Sequence, residues 1–140
     1  MLQFFEYLSG MKRLYEKKTA PVEEKYHLTS LEFNVLMFLA NNPEFDRASD
    51  IVKRRGFTKS HVSMTVRSLT ERGLVTGEYH GKDRRTIHLK LCPSAGEIVA
   101  QGRLAQEDFG KTLVKGLTGE ELEQMRRFFQ LVEKNVKENL

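Results

Sequence analysis

Cysteines, glycine-rich loops and long apolar runs are what this chain of 140 residues has least of. Its one cysteine, Cys92, can form no intrachain disulfide and excludes any multi-cysteine zinc site. The longest strictly apolar run, Val35 to Ala40, is six residues, where a membrane-spanning helix needs about 20. The opening Met1-Leu2-Gln3-Phe4-Phe5-Glu6 carries no basic segment of the kind that begins a secretory signal. A cytoplasmic chain without membrane contact is the expectation. Gly73, Gly77 and Gly81 are separated by strand-like residues, so no phosphate-cradling loop is formed. The four histidines, His27, His61, His80 and His88, fall on different predicted elements without ligand spacing. No metal and no cofactor are therefore expected. Cys92 directly follows a predicted strand and reads as an inert packed thiol. Nothing sets a nucleophile beside a base, so the chain is not expected to be an enzyme.

What is present is a globular composition, with 39% hydrophobic and 30% charged residues, at a length suited to one domain spanning 1–140. Its charge is unevenly placed. Between Arg47 and Lys90 stand 11 basic and four acidic residues, a net of +7, whereas the flanks carry 12 against 15, a net of −3. A basic centre between mildly acidic flanks suits a polyanionic partner.

Apolar spacing divides the chain into elements. Phe4, Leu8, Met11 and Tyr15 form a helical stripe that fades at Glu16-Lys17-Lys18, before Pro21. Thr29-Ser30-Leu31-Glu32 is a capping-box pattern opening a second amphipathic helix through Phe33, Leu36, Met37 and Ala40, which stops at Asn41-Asn42-Pro43. A short helix follows from Arg47 to Arg54, burying Ala48, Ile51 and Val52 and closed by Gly56. Thr58 caps a fourth helix with Val62, Val66 and Leu69 inward, ending at Arg72-Gly73. Two helices this close around a glycine have helix-turn-helix spacing. A period of two then predicts strands over 74–79 and 86–91, with Ile87, Leu89 and Leu91 on one face and a polar tip between them. Ser94-Ala95-Gly96-Glu97 and Thr118-Gly119-Glu120-Glu121 are further capping boxes, opening a long helix through Ile98, Ala105, Phe109 and Leu113 and a last one through Leu122, Met125, Phe129, Val132 and Val136.

On a helical wheel the outward face of the fourth helix is Lys59, Ser60, His61, Ser63, Met64, Thr65, Arg67 and Ser68. Short hydroxyls, an imidazole and a guanidinium can approach base edges closely, and Met64 can rest on a thymine methyl. No acidic residue occurs on the face until Glu71, unlike an ordinary solvated helix. The hairpin tip adds Lys82, Arg84 and Arg85, suited to a narrow, electronegative minor groove. Asp83 would repel phosphates, so its expected use is internal, pairing with a neighbouring Arg to shape the tip.

With these motifs in hand, the chain resembles the MarR family of transcription factors over essentially its full length. The resemblance is carried by Thr58-Lys59-Ser60-His61-Val62-Ser63, by Leu69-Thr70-Glu71-Arg72-Gly73-Leu74-Val75, by the Asp83-Arg84-Arg85 wing signature, and by Leu89-Lys90-Leu91 before a long helix. It implies a mainly α fold with a small β-hairpin wing: a winged helix-turn-helix core over about 29–91, flanked by dimerisation helices over about 1–25 and 94–140. It further implies a homodimeric, sequence-specific regulator of transcription on a pseudo-palindromic double-stranded DNA operator, usually a repressor released by a ligand. On that carry-over Ser60, His61, Met64 and Arg67 face bases, while Thr58, Lys59 and Ser63 hold phosphates. Lys82 stays with the wing cations, of which Arg84 or Arg85 enters the minor groove. Such proteins usually leave the wing through Leu-Thr, with a glycine three residues after the Thr; here Cys92 replaces the Thr and Gly96 comes one residue late. Ser94 is then expected to take over the cap.

Apolar stripes reaching both chain ends (Leu2, Phe5; Val136, Leu140) also suit a two-fold partner, which would cover Leu122, Phe129 and Val132. For an effector, the first 42 residues hold no cysteine for thiol sensing, and a small aromatic or anionic molecule touching Met11, Tyr15, Phe33 or Met37 remains. The alternative function is a winged-helix protein-interaction module that turns the same basic face to an acidic partner.

Overall fold

The computed structural model describes residues 1–140 as six helices and one two-stranded sheet. In chain order these are α1 (Leu2–Lys25), α2 (Ser30–Asn41), α3 (Ala48–Arg55), α4 (Lys59–Glu71), β1 (Val75–Glu78), β2 (His88–Leu91), α5 (Gly96–Leu113) and α6 (Gly119–Glu138), with a 3-10 turn at Pro93–Ala95 before α5. The mainly α architecture with a small antiparallel hairpin is the one expected. No helix is long and apolar enough to cross a membrane.

The first helix does not fade before Pro21 but runs through it to Lys25. An internal proline costs a helix about 3 kcal/mol or more through its missing N–H and its clash with the preceding turn. Packing along α5 offsets that cost. Tyr15 meets Phe109 edge to face at 5.3 Å, Lys18 pairs with Asp108 at 2.7 Å, and the Tyr26 hydroxyl donates to Glu97 at 2.9 Å.

Helix α2 is capped as expected: the Thr29 hydroxyl accepts from the Glu32 N–H, and the Glu32 carboxylate accepts from the Thr29 N–H. It is not amphipathic, however. Val35, Phe38 and Leu39 are buried along with Phe33, Leu36 and Met37, because α1, α4, α5 and β2 surround it. Closest approach is at Gly102 of α5, where a Cβ would lie 2.5 Å from Met37 Sδ and 3.0 Å from Phe33 Cε2. A larger residue there would force the buried Met37 side chain to shift.

Two further expectations change at the hairpin and beyond it. The strands are shorter than the alternating pattern suggests, and Ile87 lies before β2, half exposed to solvent. Val75 pairs with Leu91 and Gly77 with Leu89 on the inner face, so the apolar alternation ends at Leu89. Ser94 is not a cap. Its hydroxyl donates to the Gly73 carbonyl at 2.6 Å, and Pro93, needing no N–H partner, opens the turn that leads into α5. The Thr118 capping box opens α6 as expected.

Candidate nucleic-acid interface

Helices α3 and α4 are joined by Gly56, Phe57 and Thr58 alone. Gly56 takes the left-handed conformation, φ 68°, that ends α3 without a Cβ clash. The Thr58 hydroxyl then accepts from the His61 N–H and starts α4. Ile51, Val62 and Leu69 are fully buried beneath the pair. Burial of these side chains, roughly 1.5–3 kcal/mol each, fixes which face of α4 looks outward.

That outward face carries Lys59, Ser60, His61, Ser63, Met64 and Arg67, all exposed; Met64 is 69% exposed, which no packing requirement explains. Thr65 and Ser68 do not belong to it. Thr65 is buried, with its hydroxyl donating to the His61 carbonyl at 2.7 Å. Ser68 is half-buried and donates to Glu32 at 3.1 Å. Both lie at the border of the wheel, where α2 claims Ser68 through Glu32 and Thr65 turns its hydroxyl back onto its own helix. Arg67 is not idle in the free chain: it pairs with Glu71 at 3.6 Å across one exposed turn, a contact worth about 0.3–0.5 kcal/mol and easily exchanged for a stronger partner.

Behind α4 sits a polar network that spacing did not reveal. The Glu32 carboxylate, 8% exposed, takes hydrogen bonds from the Thr29 N–H, the Ser68 hydroxyl and the Arg72 guanidinium at 3.3 Å. Arg72 also donates to the Tyr26 and His27 carbonyls at 2.7 and 2.9 Å. Burial alone would raise the Glu32 pKa, but the donors from Thr29, Ser68 and Arg72 outweigh it and hold the carboxyl below its usual range. The stability it contributes is therefore present above the ordinary glutamate pKa of about 4.3 and is lost as pH falls through its lowered folded value. Glu32→Gln should cost about 1–3 kcal/mol at pH 7, and urea unfolding of the two proteins should converge in the acid range. A gap that stays constant down to about pH 3 would show that the carboxylate charge contributes nothing.

The wing follows directly. Gly73, φ 70°, turns the chain out of α4, and the Leu74 N–H bonds the Leu69 carbonyl. Leu89 donates its N–H to the Asp46 carbonyl at 2.7 Å, so the outer edge of β2 is covered by the α2–α3 connection. At the tip Lys82, Arg84 and Arg85 are all exposed, Arg84 lying 5.5 Å over the Tyr79 ring. Asp83 shapes the tip as expected, but not through a guanidinium. Its carboxylate accepts the Arg85 backbone N–H at 2.9 Å. That bond, followed by hydrogen bonds from Thr86, holds its pKa down. A short side chain reaching its own backbone two residues on is the lower-strain partner at a tight turn.

Three features escaped the spacing argument. Arg47 and Ser49, at the start of α3, face Arg85 and Thr86 across a shallow cleft of about 330 Å³, which extends the basic surface from the wing to the start of α3. His80 and His88, assigned to separate elements, stack in parallel at 3.6 Å, with Asp46 Oδ1 2.8 Å from His88 Nδ1. A cavity of about 260 Å³ lies between Tyr15, Asn34, Met37, Arg55, Phe57 and Gln106. Of the four effector candidates, Tyr15 and Met37 line that cavity, whereas Phe33 is fully buried in the core and Met11 lies outside it.

Residues 27–86, from the end of α1 to the wing, match the model of the MarR family. Among solved structures, a putative MarR family transcriptional regulator from Listeria monocytogenes, complexed with a 26mer DNA, superposes with a TM-score of 0.82 at 14% identity, over 99% of this chain and 90% of that one. Staphylococcus aureus MarR in complex with salicylate and kanamycin gives 0.78 at 20% identity, over 99% and 93%. The S. aureus MepR–DNA complex gives 0.73 at 22%, over 96% and 94%. The shared fold thus extends through the helices outside the matched segment.

Proposed function

We propose that this chain, whose winged helix-turn-helix segment over residues 27–86 belongs to the MarR family, is a sequence-specific double-stranded DNA-binding regulator of transcription. It acts as a homodimeric, ligand-responsive repressor on a pseudo-palindromic operator. The observation that carries this reading is the α4 face. Lys59, Ser60, His61, Ser63, Met64 and Arg67 stand free of the core, beside a wing whose three exposed cations extend the same surface. Ser60, His61, Met64 and Arg67 read bases in the major groove. Thr58, Lys59 and Ser63 hold phosphates with Lys82, and Arg84 or Arg85 enters the minor groove. Residues 29–91 serve as the DNA-binding core, and 1–25 with 94–140 as the dimerisation helices.

The cavity beside Tyr15 and Met37 suits the effector. Its Arg55 guanidinium supplies positive charge, its Phe57 a flat apolar wall, and Asn34 and Gln106 hydrogen-bonding groups. A small aromatic anion matches that lining, in keeping with salicylate in the S. aureus structure.

The test is footprinting of genomic fragments with the purified protein. A protected palindrome is expected. Arg67→Ala should relax preference at one base position per half-site, at about 1–3 kcal/mol. Equal protection of all sequences, with binding instead to an acidic protein, would favour the interaction-module reading.

A further inference from the structure

We propose that Asp46, His80 and His88 form a binding site for one divalent transition-metal ion of zinc-like chemistry at the base of the wing. The proposal is independent of the DNA-binding reading, since none of its ligands is among the residues assigned to DNA.

The hairpin register creates the site. Glu78 pairs with His88, so both lie on one face of the two-stranded sheet. His80, two residues beyond Glu78, continues on that face, and the rings meet at 3.6 Å with 4° between their planes. Asp46 approaches from the α2–α3 connection, which the Leu89 N–H clamps to the outer edge of β2. The imidazole and carboxylate ligand atoms of the three residues all lie within 4.8 Å of one another. Two imidazoles with one carboxylate are a donor set that borderline cations such as Zn²⁺ favour.

In a tetrahedral zinc site with bonds of about 2.0–2.1 Å, neighbouring ligands are about 3.3 Å apart. Reaching that spacing requires the stacked rings to tilt toward a common point. His80, which lies beyond the end of β1 with its side chain about half exposed, has room to do so. The ion takes the place of the Asp46–His88 contact, binding an Asp46 carboxylate oxygen and an unprotonated ring nitrogen of the neutral His88 imidazole, and takes His80 as its third ligand. A water molecule would complete a four-coordinate shell, and Glu78, whose Oε1 lies 3.5 Å from His80 Nε2, borders the cluster without belonging to it. The cleft there is about 330 Å³ and includes buried Leu39 and Leu89, which limit water around the ion, and Lys90, its one cation. Two carboxylates against one ammonium leave the local charge suited to a dication. Because its ligands come from the α2–α3 connection and both arms of the hairpin, one ion would tie the wing to the helical core.

The experiment is zinc titration of the purified full-length protein against a chromophoric chelator, without DNA. One zinc per chain is expected. His80→Gln and His88→Gln should each weaken it by at least about 10–100-fold, and His27→Gln, outside the cluster, should leave it unchanged. Co²⁺ should give the visible bands of a four-coordinate ion in the wild type and lose them in His80→Gln. His80 is exposed, so its variant should keep the wild-type circular dichroism and a loss of binding would not reflect unfolding. Zinc affinity in the wild type no greater than in a folded His80→Gln/His88→Gln double variant would overturn the proposal, as would equal weakening by His27→Gln.

Discussion

Phe129→Asp should convert the protein from a dimer to a monomer at micromolar concentration and remove its high-affinity operator binding. Helix α6 has 20 residues and not one is buried within the chain. Leu122, Met125, Phe129 and Val132 line a groove of about 630 Å³ along it, and Phe129 is 54% exposed. Most helical stability in proteins comes from packing an amphipathic face rather than from propensity, so α6, with no face buried within the chain, needs a partner surface. At the other end of the chain α1 presents Leu2, Phe4, Phe5 and Tyr7 in the same exposed state. A two-fold pairing of these stripes is isologous, so each substitution acts twice. Truncating an aromatic anchor at such an interface costs about 2–4 kcal/mol, and a carboxylate placed there adds its own desolvation.

The dimer dissociation constant should therefore rise by at least about 100-fold. Light scattering of wild type and variant reads it directly. Operator affinity should fall by about 10²–10⁴, the gain that joining two half-site binders provides. Circular dichroism should show a partial loss of helix, confined to what α6 contributes. A wild type that is monomeric at micromolar concentration would overturn the assignment, as would a variant that stays dimeric.

The second large effect concerns the wing. Replacing Lys82, Arg84 and Arg85 together by alanine should weaken binding to every DNA sequence and flatten its salt dependence. All three side chains are exposed and none has a carboxylate partner within 4.0 Å. Asp83, the one acidic residue at the tip, is turned onto the Arg85 backbone N–H and leaves the cations free to meet phosphate. Removing one cation–phosphate pairing should reduce the slope of log K against log salt by about 0.9. With two wings per dimer, the slope should become shallower by roughly 2–5. Base preference read by α4 should survive, because the recognition face is untouched. An unchanged slope would place the phosphate-binding groups elsewhere, with Arg47 and Ser49 across the cleft from Arg85 as the next candidates.

These two expectations differ in how far they were legible in the residues. The wing cations and the α4 face could be placed from spacing, because a cap at Thr58, a buried Val62 and Leu69 and a glycine at each end admit one helix in one orientation. The same local logic placed the Thr29 and Thr118 capping boxes, which need only residues three apart. It failed where a distant surface competed for the same group. Ser94 had a capping pattern, yet the Gly73 carbonyl, 21 positions earlier in the chain, took its hydroxyl. Ser68 looked solvent-facing until Glu32 of α2 took its hydroxyl. Pro21 had the signature of a helix end, and the long packing surface of α5 carried the helix past it.

The single cysteine excluded a multi-cysteine metal centre, and that much followed from the residues alone. Composition and period also determined the order of helices and strands and the concentration of positive charge in the middle third, since both depend on neighbours within a few residues. Which distant groups meet was decided only by folding. Register brings His80 beside His88, the α2–α3 connection brings Asp46 to both, and Arg72 reaches Glu32 across 40 positions. Histidines spaced with no ligand pattern along the chain can still share one face of a hairpin, because an antiparallel turn makes neighbours of residues on opposite arms.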